Sequence, residues 1–255
     1  MHLRWLAFVL FAFLAGPIAA QDIPLSKILV EKEPWREVAK EVKNVTYLDG
    51  EPKGDIAIYT GERTALLRID NKVELIPLPP FITPRRDPTV ARTRLGAVYQ
   101  IAKDGKSVTV TIGKRSEVLK LPGLAAPTCL ALWPDEGHLV IGEADGGYLW
   151  AVRIEKDGTL GPGDRYYSLR TRQDEKMHVA AMTMDANYLL YACTPLGVQV
   201  FDPTGRLSGV IPNPSKEPMV AITIGGAKAD ELYVAAGDKI YARRIQMKAS
   251  YTLKK

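Results

Sequence analysis

Two stretches near the C-terminal end of the chain repeat one pattern. Residues 189–203 read LLYACTPLGVQVFDP, and about forty residues later 232–245 read LYVAAGDKIYARRI. In the first, Tyr191 opens one short β-run and Val198, Val200 and Phe201 mark a second. Pro195-Leu196-Gly197 join the two runs, and Asp202-Pro203-Thr204-Gly205 close them. A strand pair recurring at this period, with turn residues between, is the signature of radially repeated sheets, since one such unit cannot bury its apolar faces alone. The reading is an all-β chain, a β-propeller of five blades or of six with one incomplete.

The rest of the chain divides on the same pattern. Short alternating runs bounded by Gly, Pro, Asp and Asn group into units at 55–76, 96–113, 128–158, 180–211 and 220–245. Each of the last three reads as an inner strand, a turn, a second strand ending in small residues and a third strand. The segment 77–94 holds five prolines and no strand alternation, so it reads as a loop or a degraded blade edge. Ahead of the units, residues 21–44 form a lead-in in which Leu25, Ile28, Leu29, Trp35, Val38 and Val42 fit one side of a short helix or strap. Pro34 interrupts any single helix there. The propeller domain is expected over 45–250. An open β-sandwich is the alternative fold, and the three-strand repeat argues against it.

Residues 1–20, MHLRWLAFVLFAFLAGPIAA, have one charge, Arg4, then an apolar run broken by Gly16-Pro17 before Ile18-Ala19-Ala20. This is the pattern of a secretory signal cleaved after Ala20, and export to a periplasm or the outside is expected. A run of about a dozen residues is too short for the roughly 30 Å bilayer core, so no membrane span is expected after cleavage. Loss of that segment leaves 33 Lys+Arg against 29 Asp+Glu. The basic residues are scattered, apart from Arg85-Arg86 and Lys254-Lys255, which excludes the one-sided cluster of a nucleic-acid binder. Cys129 and Cys193 are the only cysteines and read as buried thiols rather than a bridge. With His138 and His178 as the only later histidines and no CxxC or HExxH, structural zinc is not expected.

The run LGVQVFDPTGRLSGVIPNP followed by LYVAAGDKIYARR resembles the C-terminal end of the SMP-30/gluconolactonase-like family. APTCLALWPDEGHLVIGEAD resembles that family's "PNGLAxSPDxxxLYVxDS" blade, GAVYQIAKDGKSVTV the strand pair before it, and PLSKILVEKEPWREVAKEV the approach to the first blade. The resemblance implies a propeller with a divalent metal at the channel mouth, calcium or zinc, in a sugar-lactone hydrolase. A Glu, two Asn and an Asp would hold that ion, which would polarise the lactone carbonyl and position a hydroxide.

Matched residue by residue, three of those four ligands are replaced, and one Asn has no matching position. Thr46 stands at the Glu position, Thr128 at the Asn of "PNGLA" and Ala180 at the Asp of "DGMAxD"; Ala221 takes the place of a further Asn. A Thr hydroxyl brings no charge and Ala brings no donor atom, so no metal or other cofactor is expected. Asp174, Glu175 and His178 are the acidic and His cluster closest to Ala180, and an exposed loop between blades is the plainer reading of them. Glu143 and Asp145 beside Gly146-Gly147 read as turn residues, Trp133 and Trp150 as blade packing, and Asn44-Val45-Thr46 as a glycosylation sequon meaningful only in a eukaryotic secretory pathway. No GxSxG elbow is present. Two functions remain: a non-catalytic exported propeller binding a small molecule or protein at its mouth, and a metal-dependent lactone hydrolase with shifted ligands.

Overall fold

The computed structural model describes residues 23–60, 64–69, 73–77, 88–173 and 176–253. The expected signal segment 1–20, the basic pairs Arg85-Arg86 and Lys254-Lys255, and the candidates Asp174 and Glu175 lie outside them. A 3-10 turn at Leu25–Lys27 precedes β1 (Arg36–Ala39). The first blade then comprises β2 (Val45–Gly50), β3 (Ile56–Thr60), β4 (Thr64–Ile69) and β5 (Val73–Pro77). The second holds β6 (Val90–Arg92), β7 (Val98–Ile101), β8 (Val108–Ile112) and β9 (Arg115–Val118). The third holds β10 (Pro127–Leu132), β11 (His138–Glu143), β12 (Tyr148–Ile154) and β13 (Leu160–Ser168). The fourth holds β14 (Ala181–Met184), β15 (Leu190–Thr194), β16 (Gly197–Phe201) and β17 (Leu207–Ile211). The fifth holds β18 (Met219–Gly225), β19 (Glu231–Ala236) and β20 (Lys239–Arg244), and a second 3-10 turn, Ser250–Thr252, ends the described chain.

These strands make five four-stranded antiparallel sheets, so the expected five-or-six resolves to five complete blades among the described residues. The innermost strands adjoin in the order β6, β10, β14, β18, β2 around a central channel. Three sequence expectations change. Val90–Arg92, inside the segment read as a loop, is the innermost strand of the second blade, paired Ala91 to Tyr99. At three residues it is too short to show alternation. The first blade begins at Val45 rather than at residue 55, because β2 pairs with β3 from Val45↔Thr60 to Gly50↔Ile56. Within the lead-in, Arg36–Ala39 is a strand and not a helix. It pairs with β20 (Arg36↔Ala242, Glu37↔Tyr241) as the outermost strand of the fifth blade. The first described segment thereby closes the last sheet, covering an edge that would otherwise stay open. Ion pairs Lys239–Glu37 (2.7 Å), Arg244–Glu33 (3.1 Å) and Arg36–Glu231 brace that closure.

The middle strands β3, β11, β15, β16 and β19 are buried on both faces, which explains their near-continuous apolar runs. In β15, Leu190 and Ala192 face a core shared with the third blade (Cys129, Val140, Tyr167), while Tyr191 and Cys193 face one shared with the fifth (Ile222, Leu232, Val234). In β19, Tyr233 and Ala235 turn the other way, into a core with Leu48, Ile56 and Ile58 of the first blade. A fourth core joins Tyr99 and Val110 of the second blade to Leu139, Ile141 and Trp150 of the third. At roughly 25 cal/mol per Å² of apolar surface removed from water, these inter-blade layers are the main source of stability. Gly50 lets two inner strands meet: a Cβ there would overlap the carbonyl oxygen of Ile224.

Candidate functional site: the two ends of the channel

The inner strands define two channel ends. At the end where they begin stand Thr46, Thr128 and Ala180. Thr46 is exposed and its hydroxyl donates to the Tyr59 carbonyl (3.2 Å). The Thr128 hydroxyl donates to the Val179 carbonyl (2.6 Å), tying the start of β10 to the approach to β14. Ala180 offers a methyl packed against the core, and its N–H donates to the Cys193 carbonyl (3.1 Å). Ala221 is fully buried between the fifth and first blades. The matched positions therefore hold two neutral hydroxyls, oriented by bonds to backbone carbonyls, and two methyl groups, with no carboxylate or carboxamide among them.

Among the described residues, the acidic and basic side chains around that end do not converge. His178 is exposed and bridges Ala144 through the backbone. Asp145 is exposed, with Lys176 at 3.9 Å. Glu143 is buried, but both of its oxygens are engaged: Oε1 accepts from the Ala125 N–H (2.7 Å) and Oε2 from the Trp150 indole N–H (2.8 Å). Among the described residues, no three His, Cys, Asp or Glu side chains group so as to hold a metal ion. Oxygen-ligated divalent cations need several such donors, and this set does not fit one. Cys129 and Cys193 are free and buried, and burial pushes the Cys129 thiol up to about 12 and that of Cys193 further up. Neither is a ready thiolate for nucleophilic attack or metal binding.

The other end of the channel, where the inner strands finish, contains a cavity of about 590 Å³. All five inner strands line it, through residues such as Tyr47, Arg92, Leu130, Thr183 and Thr223. Trp133 and Tyr188, on the turns that follow β10 and β14, form its aromatic wall with their rings edge to face at 5.7 Å. Tyr251 and Leu253 of the C-terminal segment border it. The Arg94 guanidinium pairs with Glu136 at 3.1 Å, and the Thr223 hydroxyl accepts the Gly50 N–H (3.0 Å) across the junction of the fifth and first blades. The Tyr251 hydroxyl is buried without a hydrogen-bond partner, and burial, with Asp49, Glu51 and Asp230 nearby, raises its pKa.

Sequence reasoning did not single out this end. Its residues come from five strands spread over the whole chain, and Tyr251 lies just past the expected domain boundary at 250. Trp133, read as packing, both packs (its indole N–H donates to the Tyr167 hydroxyl, 3.2 Å) and lines the cavity. Trp150 is packing alone: it is 5% exposed and bonded to Glu143. The one legible signal was the run LALWPDEG, whose turn carries an indole where a small polar residue would suffice.

A family model described as the SMP-30/gluconolactonase/LRE-like region matches residues 81–238. No curated protein matches in sequence. Among solved structures, the chain is similar to a protein provisionally classed as a gluconolactonase (TM-score 0.64, 14% identity, covering 88% of this chain and 96% of that one). It is also similar to a gluconolactonase from Xanthomonas campestris (TM-score 0.61, 17% identity, covering 87% and 92%). A calcium-binding protein, regucalcin from Agrobacterium tumefaciens, superposes with a TM-score of 0.52 at 13% identity, covering 79% and 76%. At such identities these likenesses establish the fold alone.

Proposed function

Because the chain belongs to the SMP-30/gluconolactonase/LRE-like family, and the positions matched to its metal ligands carry no carboxylate or carboxamide, we propose that it is an exported, non-catalytic propeller that binds a ligand or partner through its channel. The observation that carries this reading is the donor set at the strand-start end. Thr46 and Thr128 offer only neutral hydroxyl oxygens, their protons donated to the carbonyls of Tyr59 and Val179, and Ala180 has no donor atom. Loss of both carboxylates removes the charge that compensates a dication's desolvation. Without a Lewis acid at that end, nothing among the described residues there polarises a lactone carbonyl or lowers the pKa of an attacking water.

The test is calorimetric titration of the purified chain with Ca²⁺ and Zn²⁺, run beside a hydrolysis assay on gluconolactone. No metal binding in the micromolar range and no metal-dependent turnover are expected. Micromolar binding together with metal-dependent hydrolysis would overturn the proposal in favour of a lactonase with shifted ligands. The export half rests on the apolar run and small-residue ending of residues 1–20. N-terminal sequencing of the protein recovered outside the cytoplasm is expected to begin at Gln21.

A further inference from the structure

The cavity at the strand-finish end has the size of a small-molecule site, since such sites run from roughly 300 to 1,000 Å³. It lies at the channel end opposite Thr46, Thr128 and Ala180. Its wall has two unlike parts. The apolar part is made by Trp133 and Tyr188 with Met182 and Met184. Flat aromatic rings beside flexible thioethers suit a planar apolar body.

The polar part is defined by groups whose bonding is incomplete. Thr183 is 9% exposed, and its hydroxyl, which reaches the cavity's solvent, has no protein partner among the described residues. The Tyr251 hydroxyl, as above, is buried and unpartnered. A buried hydroxyl without a partner costs free energy, and a ligand's polar group recovers it. Three ionic groups besides Arg92 reach the lining. Arg94 and Glu136 neutralise one another, and Asp135 accepts the Gly137 N–H (2.9 Å) in its own turn at the rim. Arg92 stands on the innermost strand β6, lines the cavity and has no ion-pair partner among the described residues. A guanidinium presents a planar fork of donors that matches a carboxylate.

We infer that this cavity binds a small carboxylate with a flat apolar ring, the carboxylate on Arg92 and the ring against Trp133 and Tyr188. The inference rests on the binding half of the function proposed above and not on the loss of catalysis. It places the ligand at the channel end that the family metal positions do not occupy.

Three probes of one shape and different charge test it: 1-naphthoate, neutral 1-naphthalenemethanol and cationic 1-naphthylmethylammonium. Binding to the full mature chain is followed by calorimetry and by quenching of tryptophan fluorescence. Naphthoate is expected to bind at one site, with the neutral probe weaker by about tenfold or more, the usual worth of a charged hydrogen bond. Arg92→Gln should weaken naphthoate by a similar factor and leave the neutral probe unchanged. Because Arg92 is exposed, that variant should fold, which circular dichroism checks. Arg115→Gln, which removes an arginine from the outer strand β9, should change neither. Equal affinity for naphthoate and the alcohol, tighter binding of the ammonium, an unaltered Arg92→Gln variant, or no saturable naphthoate binding would each overturn the inference. The metal titration separates the two proposals: metal-dependent turnover with naphthoate binding intact overturns only the non-catalytic reading.

Discussion

Asp185 should make this propeller less stable as pH rises through the weakly acidic range. It sits just after β14, completely buried. Its Oδ1 accepts the N–H groups of Asn187 (2.7 Å) and Leu189 (3.0 Å), and its Oδ2 accepts the Tyr191 hydroxyl (3.0 Å). Those bonds favour the carboxylate, yet burial outweighs them and pushes the carboxyl up to about 6 from an ordinary 3.8. The folded state therefore holds the proton more tightly than the unfolded chain does. The resulting stabilisation is complete below pH 4 and is lost between about 4 and 6. A two-unit shift corresponds to about 3 kcal/mol. Asp185→Asn keeps an oxygen for the two N–H groups and turns an NH₂ toward the Tyr191 hydroxyl, which can accept, but it cannot titrate. Urea unfolding of both proteins at pH 3.5, 5, 6 and 7.5 reads the effect. The stability of the Asn variant relative to the parent should rise by about 3 kcal/mol from pH 3.5 to pH 7.5, with most of the rise between 4 and 6. Parallel profiles for the two proteins would refute the reasoning. Asp185→Ala also cannot titrate, but it strands two backbone donors and a hydroxyl, so it should cost about 3 kcal/mol or more below pH 4, and that cost should shrink by about 3 kcal/mol by pH 7.5.

Two other outcomes follow from packing. Gly50→Ala places a methyl group against the Ile224 backbone carbonyl, where no side chain can yield, and should cost about 3 kcal/mol in denaturant unfolding; a loss under ~0.5 kcal/mol would show that the first and fifth blades are not in such close contact. Cys129 and Cys193, buried and with raised thiol pKa values, should resist iodoacetamide at pH 8 in the folded protein and react in 6–8 M urea; modification at similar rates in both states would contradict their burial.

Much of the fold was legible because propeller blades are local. In β15 and β16 the turn Thr194–Gly197 and the paired runs lie within a dozen residues, so chain proximity and register coincide. The hydroxyl of Thr194 donates to the Gly197 carbonyl (2.8 Å), and the positive φ of Gly197 (134°) shows why glycine stands there. β1 was illegible for the opposite reason. Arg36–Ala39 becomes a strand only by pairing with β20, about 200 residues away, and no local pattern reports that partner. Val90–Arg92 was hidden by its length and by the prolines before it. At the candidate site, the substitutions Thr46, Thr128 and Ala180 could be read in the chain, but the bonds that occupy the two hydroxyls could not.

The chain alone carried the class of this protein: the period of its strand pairs, the turn residues between them and the family. These depend on residue identity and on neighbours close in the chain. Only the tertiary structure decided that the described residues form five complete blades, that the lead-in completes the last sheet, and that a cavity at the strand-finish end holds an arginine with no ion-pair partner among the described residues. The physical reason is that a channel is lined by one short segment from each blade. Each segment carries an ordinary strand sequence, and the chemistry appears only where ring closure brings Arg92, Trp133, Thr183, Tyr188 and Tyr251 around one space.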